Sequence, residues 1–498
     1  MDKQAAYRFK LTVLLAWFWA GAGTVHAQFI DTSDDRVKTP LSVSLKQIGT
    51  LKPRSASAIE SSRITVGCET LDRDFTDFNA YKAYLPPLGV KKIRLQAGWA
   101  KCEKVKGVYD WAWLDNIINF AVANGLEPWL ETSYGNPIYE GGGRTGLLNS
   151  LMTSPEGYAA YDRWVEALVT RYKDRVKEWE IWNEPDHPMQ KITPETTAEL
   201  NIRTADIIKR LQPDANIAAL AMASHTDTVY LDRALKVFAD RRKLDLFTWV
   251  SYHSYAFRPE QSYKGVDSFK RVLAKYSPSL KLRQGENGAP SGYIPSYALD
   301  KYYWTEYSQA KYDMRRLLGD LGRDIETSVF TIIDIRYAGD PPVLNMKGLI
   351  QSDLDKTVIR PKVAYYAVQN LASVFDNRLE LAPNVKATTT AKEPVSIFGY
   401  QHKAGKKQLV TVWFDGKTPN NLFQPTPLDI TIENGNFDKP VWVDLMTGKV
   451  YDIPKSGWSK TGSTYTFKNI PVYDSPVLIA DQSLITMNND RKSERANP

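Results

Sequence analysis

The chain has 498 residues, 43% hydrophobic and 24% charged, which is enough for a large buried core and for more than one domain. Its formal net charge of +7 is mild over that length, and no dense Lys/Arg run occurs, which argues against nucleic acid as a partner. Five histidines with no His-x-His or His-Glu-x-x-His pair, and two cysteines, argue against a metal-dependent hydrolase, and no cofactor is implied.

Lys3, Arg8 and Lys10 precede an apolar run from Leu11 to Ala22, and Val25-His26-Ala27 is a small-x-small cleavage site. The pattern predicts a secretory signal peptide over residues 1–27, with export to the periplasm or the extracellular space after cleavage near Ala27. The apolar run is shorter than the ~20 residues a membrane span needs, and no later stretch qualifies. Export permits a disulfide between Cys68 and Cys102, while two buried thiols are the commoner arrangement. Residues 28–60 are polar and irregular, with Pro40 and Pro53, and read as a linker. A candidate strand at Leu41–Leu45 within it could join a separate β domain.

From Ser62 onward strand and helix signals alternate. Strands are predicted at Ile64–Cys68, Val90–Gln96, Leu126–Leu130, Lys177–Glu184, Asn216–Ala223, within Leu244–Tyr255, at Leu280–Gln284 and at Thr327–Ile335. Between them lie helix signals: Asp110 ahead of Trp111–Leu114, an apolar stripe at Tyr158, Tyr161, Val165, Leu168 and Tyr172, and Thr193-Pro194 as cap and first turn. A Tyr-rich helix is expected over about 302–321 and a closing helix over Lys362–Phe375. Eight strands, each followed by a helix, across residues 61–376 is the α/β pattern of a (β/α)8 TIM barrel. An open doubly wound sheet is the rival, but it would often carry a G-x-G-x-x-G turn directly between a strand and a helix, and none stands there: Gly141–Gly146 has the spacing only within the long loop after Leu126–Leu130.

Beyond Asp376 the pattern becomes short strands parted by turn residues such as Asn434-Gly435-Asn436 and Thr447-Gly448. Residues 377–484 therefore read as an all-β sandwich, and the polar stretch 485–498 as a disordered tail.

Working residues of such barrels lie at the C-terminal ends of strands. That rule selects Glu184, stopped by Pro185 at the end of strand four, and Glu286, in Gly285-Glu286-Asn287-Gly288 at the end of strand seven. Paired carboxylates suit hydrolysis of an acetal: one protonates the leaving oxygen and the other attacks the anomeric carbon. Their environments must then differ. Arg94, Tyr255 and His253 are expected around Glu286, keeping it anionic as nucleophile. Glu184 is expected in a less cationic place, its pKa raised by the neighbouring negative charge, as acid/base. Trp99, Trp182 and Tyr134 read equally as packing or as sugar platforms, and Glu69 and Glu131 are minor candidates for subsite carboxylates.

Trp182-Asn183-Glu184-Pro185, the second Glu at strand seven and Val250–Tyr255 on strand six together resemble the retaining glycoside hydrolases of clan A. Gly67–Arg73 and Tyr134-Gly135-Asn136-Pro137-Ile138-Tyr139 are most similar to bacterial family 39-type members. The resemblance covers most of residues 62–376 and implies Glu184 as acid/base, Glu286 as nucleophile and Asn183 as the group bonding the sugar 2-hydroxyl. Arg94, His253 and Tyr255 then surround the nucleophile, and Asn136 joins Tyr134 as substrate support. It implies an oligosaccharide or polysaccharide substrate, joined through β-glycosidic or α-L-arabinofuranosidic bonds. Many relatives place a Trp platform at the end of strand eight, where this chain has Ile335-Arg336-Tyr337. A catalytically inactive carbohydrate-binding protein and a structural surface protein are the competing readings.

Overall fold

The computed structural model describes residues 42–489 with the exception of Lys191, so the expected signal peptide lies outside the described residues. Eight parallel strands form the barrel: β1 (Ile64–Gly67), β2 (Lys92–Gln96), β3 (Glu127–Glu131), β4 (Glu178–Glu180), β5 (Asn216–Met222), β6 (Trp249–His253), β7 (Lys281–Glu286) and β8 (Thr327–Val329). Each pairs with the next, β8 pairs with β1, and Gln284 N–H donates to Glu326 O at 2.8 Å to join β7 to β8. Around it run α1 (Ala112–Ala123), α2 (Pro155–Tyr172), α3 (Pro194–Leu211), α4 (Thr228–Asp240), α5 (Tyr263–Ala274), α6 (Glu306–Leu321) and α7 (Val363–Val374). Their starts follow local chemistry. Asp110 accepts from Ala112 N–H, and Ser154 and Thr193 cap α2 and α3 ahead of a first-turn proline. Among the described residues no helix is long and apolar enough to cross a membrane.

Side chains on a strand alternate between its two faces. The outward set, including Ile93, Leu130, Trp179, Ile217, Val250 and Leu282, is buried in the main apolar core. The inward set is charged. At the floor of the barrel Lys92 donates to Glu178 at 2.6 Å and Glu326 at 3.2 Å, and Arg283 pairs with the same two acids at 2.7 and 2.5 Å. Arg283 lies over the rings of Trp249 and Trp129, which close the layer. Two residues further along the same strands come Arg94, Glu131, Glu180, Ser251 and Gly285, the layer beneath the mouth.

The sandwich comprises an eight-stranded and a four-stranded antiparallel sheet. Its larger sheet takes in Lys46–Leu51, which pairs with Lys449–Asp452 and with Met487–Asn489. The strand therefore begins at Lys46 and leaves out residues 42–45 of the expected one, whose first residue, Leu41, lies outside the described residues, and the start of the tail expected to be disordered is an edge strand. All of α6 is buried, and its cations reach the sandwich: Lys311 donates to Asp474 at 2.6 Å and Arg315 to Lys417 O at 3.0 Å. Strand eight is also shorter than expected. It stops at Val329, and Ile335–Tyr337 instead forms a hairpin with Val343–Asn345. Cys68 and Cys102 are free and buried.

Burial alone would raise the Glu326 carboxyl, but Arg283 and Lys92 overcome it and hold the group at about 2. A depressed carboxylate contributes stability above its unfolded value that is lost as pH falls toward the folded one. Arg283→Met leaves Glu178 and Glu326 with Lys92 alone, so the urea midpoint at pH 7 should fall by an amount worth about 3–5 kcal/mol. An unchanged midpoint would rule out this ionic floor as a support of the barrel.

Candidate active site

Strand β4 delivers Glu184 through a strained exit. Trp182 has φ +66° and Glu184 φ +49°, left-handed values that cost roughly 1–3 kcal/mol each for side chains of this size. Pro185 prevents the ladder from continuing. Glu184 N–H donates to Ala221 O at 2.8 Å, and the Gln190 amide donates to Asn183 O at 2.7 Å, which fixes the turn. The result is a carboxylate at the barrel mouth whose side chain is 12% exposed, matched by Glu286 at 14%.

Beneath them lies Arg94, wholly buried. Its Nε donates to Glu180 at 2.7 Å. Nη1 donates to Glu69 at 3.1 Å and Glu286 at 3.2 Å, and Nη2 to Glu131 and, at 3.1 Å, to Asn183 Oδ1. Tyr255 O–H donates to the other Glu286 oxygen at 2.7 Å. Arg94 and Tyr255 thus flank Glu286 as expected from the sequence. His253 does not: its Nδ1 lies 2.8 Å from Glu184 Oε1 and 3.7 Å from Glu286 Oε2. One oxygen from each carboxylate and a His253 nitrogen all lie within 4.8 Å of one another. The positive charge among them comes from Arg94 and His253.

The protonation states follow from these contacts. Burial works against the His253 cation, but the charge of Glu286 and the bond to Glu184 push it up to about 9. In return, and despite its burial, Glu184 is held below the usual carboxylate value by His253, with His187 and Arg94 adding to the effect. The expectation of a raised Glu184 is therefore corrected, because the histidine meant for one acid is bonded to the other. Desolvation pushes Glu69 up to about 7 and Glu131 to about 8 despite Arg94.

The pair opens into a cavity of about 750 Å³, walled by Tyr255, Tyr297, Phe330, Tyr337, Lys347 and the 223–227 loop. Because β8 ends at Val329, the aromatic residue at its tip is Phe330, and Tyr337 comes from the hairpin, its ring tilted 40° to that of Tyr297 at 4.9 Å. The wall thus holds aromatic faces where relatives are expected to carry Trp.

Residues 63–278 match the family model for glycosyl hydrolases family 39. The match takes in the first six strands of the barrel, which resembles those of family 39. Solved structures agree in fold. A family 39 glycoside hydrolase from Bacteroides cellulosilyticus WH2 is 15% identical, with TM-score 0.57, covering 86% of this chain and 81% of its own. A monomeric β-xylosidase from Caulobacter crescentus CB15 is 17% identical, with TM-score 0.57, covering 87% and 97%. A family 51 α-L-arabinofuranosidase from Bifidobacterium longum is 14% identical, with TM-score 0.53, covering 90% and 99%. No curated protein matches the sequence. The chain is an O-glycosyl hydrolase (glycosidase) by class. The match includes Glu184 and ends before Glu286, whose place in the site rests on geometry.

Several residues picked out by sequence lie elsewhere in this glycosidase. Trp182 is fully buried, edge-on to Tyr134 and Tyr161, and packs rather than faces the cavity. Trp99 stacks with Tyr139 and Trp164 and donates to Glu103 at 2.5 Å. Asn136 is buried and donates to Glu103 O at 2.8 Å, holding the loop after β3. Tyr134 supports the site indirectly, its hydroxyl accepting from Asn183 Nδ2 at 2.7 Å. Sequence reasoning misses Phe330 and Glu180; for Glu180 the inward position two residues after Glu178 is the available signal.

Glu69 and Glu131 carry a stability consequence. A carboxyl raised in the folded state binds more protons folded than unfolded between its two pKa values, so stability drops as pH rises through that window. The midpoint of thermal unfolding should decrease by several degrees between pH 5 and pH 8. Glu131→Gln, which cannot ionise, should flatten that slope. Equal slopes for the two proteins would show that Glu131 does not hold its proton in the fold.

Proposed function

We propose that the protein is a retaining glycosidase that works by double displacement. The observation that carries this reading is the approach of the Glu184 and Glu286 oxygens to within 4.8 Å, each acid with a different partner. Retaining pairs are separated by about 5–5.5 Å, and inverting pairs by about 6.5–9.5 Å to admit a water.

Glu286 attacks the anomeric carbon, its charge oriented by Arg94 and Tyr255. The glycosidic oxygen leaves with a proton from Glu184. Glu184 then takes a proton from water as that water attacks, which frees the sugar with its original configuration and restores Glu286. A depressed Glu184 suits the second step directly. For the first, the proton is held by Glu184 and His253 jointly, and the macroscopic value belongs to the pair. Asn183 has one amide N–H committed to Tyr134, and its other is the donor assigned to the sugar 2-hydroxyl.

The substrate class supported by the comparisons is a β-D-xyloside-like β-glycoside or an α-L-arabinofuranoside. Phe330 and Tyr337 offer flat faces to the sugar ring. The N-terminal pattern supports export, so the glycan would be met outside the cytoplasm.

Nitrophenyl β-D-xyloside, β-D-glucoside and α-L-arabinofuranoside are the probes, with proton NMR following the first product anomer. The expected first product keeps the substrate's anomeric configuration. Glu184→Gln and Glu286→Gln should each reduce kcat/KM by about 10²-fold or more. An inverted first product, or full activity in both variants, would refute the mechanism.

A further inference from the structure

Among the described residues, the buried polar atoms without a hydrogen-bond partner include Glu180 Oε1, Ser251 Oγ and His253 Nε2. These three converge on one place. A Cβ built on Gly285 would lie 2.5 Å from Ser251 Oγ, 3.3 Å from His253 Nε2 and 3.4 Å from Glu180 Oε1, and those are its three nearest neighbours. The missing side chain at 285 leaves a space walled by one anion, one hydroxyl and one imidazole edge. Buried polar groups of this kind cost about 1–3 kcal/mol each when unsatisfied, and a buried water normally makes two to four bonds to such groups.

We propose that this space is a single-water site, and that Gly285, Ser251 and Glu180 act through it as positioning residues for His253 and hence for Glu184. The water accepts from His253 Nε2–H and Ser251 O–H and donates to Glu180 Oε1. The circuit then runs from Glu184 through His253, the water, Glu180 and Arg94 to Glu286. Both acids are linked on their buried sides as well as across the cleft. A histidine that donates from Nδ1 to Glu184 needs an acceptor at Nε2 to remain a cation, and the water supplies it.

The charged groups facing His253 are Glu180 from β4, Glu184 from the turn beyond it, Glu286 from β7 and Arg94 from β2. His187 acts on Glu184, Lys347 and Tyr255 act on Glu286, and Glu69 and Glu131 act through Arg94. Removing the water changes only the Nε2 side of this arrangement.

The link to catalysis rests on Glu184 as the acid/base; the water site itself does not. A crystal structure at about 1.2 Å should show a peak at hydrogen-bond distance, about 2.6–3.2 Å, from all three atoms. Nitrogen-15 NMR should show the His253 titration midpoint lower by about one pH unit in Ser251→Ala, the size of one charge-assisted hydrogen bond. The double variant Gly285→Ala with Ser251→Ala exchanges the hydroxyl for a methyl in the same space and should lose the peak and shift likewise. The alkaline limb of kcat/KM on nitrophenyl β-D-xyloside should move down with the midpoint. A direct Glu180–His253 bond with no peak, or an unchanged midpoint in Ser251→Ala, would overturn the water site. A shifted midpoint with an unmoved limb would leave the site standing and refute the role of His253 in acid catalysis.

Discussion

Everything at the barrel mouth depends on one buried guanidinium. Arg94 has five N–H donors in a rigid fork, and its five partners are Glu69, Glu131, Glu180, Asn183 and Glu286. These come from the ends of β1, β3, β4 and β7, so a single side chain ties four strands at the level where chemistry takes place. A lysine could not do this, because an ammonium offers three donors without the planar geometry. Burying a cation so completely is tolerable only because acids surround it, and burial, reinforced by that surplus of acids, is in turn what raises the Glu69 and Glu131 carboxyls.

The same surplus makes the two cleft carboxylates different. Glu286 has Arg94 and Tyr255, neither of which gives up its proton near neutral pH. Glu184 has His253, which titrates. One acid is therefore bound to fixed donors and suits nucleophilic attack. The other shares a mobile proton and suits acid/base work. The asymmetry is a matter of partners rather than of depth, since the two side chains are about equally exposed.

Much of this was legible in the sequence, for identifiable reasons. Trp179 and Ile181 alternate with Glu178 and Glu180 because one face meets helices, and Pro185 stops the chain where Glu184 must face the cleft. Glu286 was found because strand seven offers no other acid at its tip. What could not be read was the meaning of the inward charges. An alternating strand with Glu or Arg on one face looks half-solvated, whereas here that face is a barrel interior of paired ions. Nor does alternation say which of two acids His253 meets, when the distances are 2.8 and 3.7 Å. Trp99 and Trp182 carry no signal separating a core ring from a sugar platform. Phe330 was hidden because β8 is only three residues long and its tip was expected further on. The strand at Lys46–Leu51 pairs with residues some 400 positions away, a partnership no local pattern encodes.

The central claim is that Glu286, held by Arg94 and Tyr255, becomes covalently bonded to the sugar. A 2,4-dinitrophenyl 2-deoxy-2-fluoro-β-D-xyloside slows release of such an intermediate more than its formation. With an enzyme preparation shown to hydrolyse nitrophenyl β-D-xyloside, peptide mass spectrometry after inactivation should find one fluoroxylosyl group, on Glu286. A label on Glu184 or on another carboxylate would contradict the account, as would turnover of the reagent with no labelled intermediate.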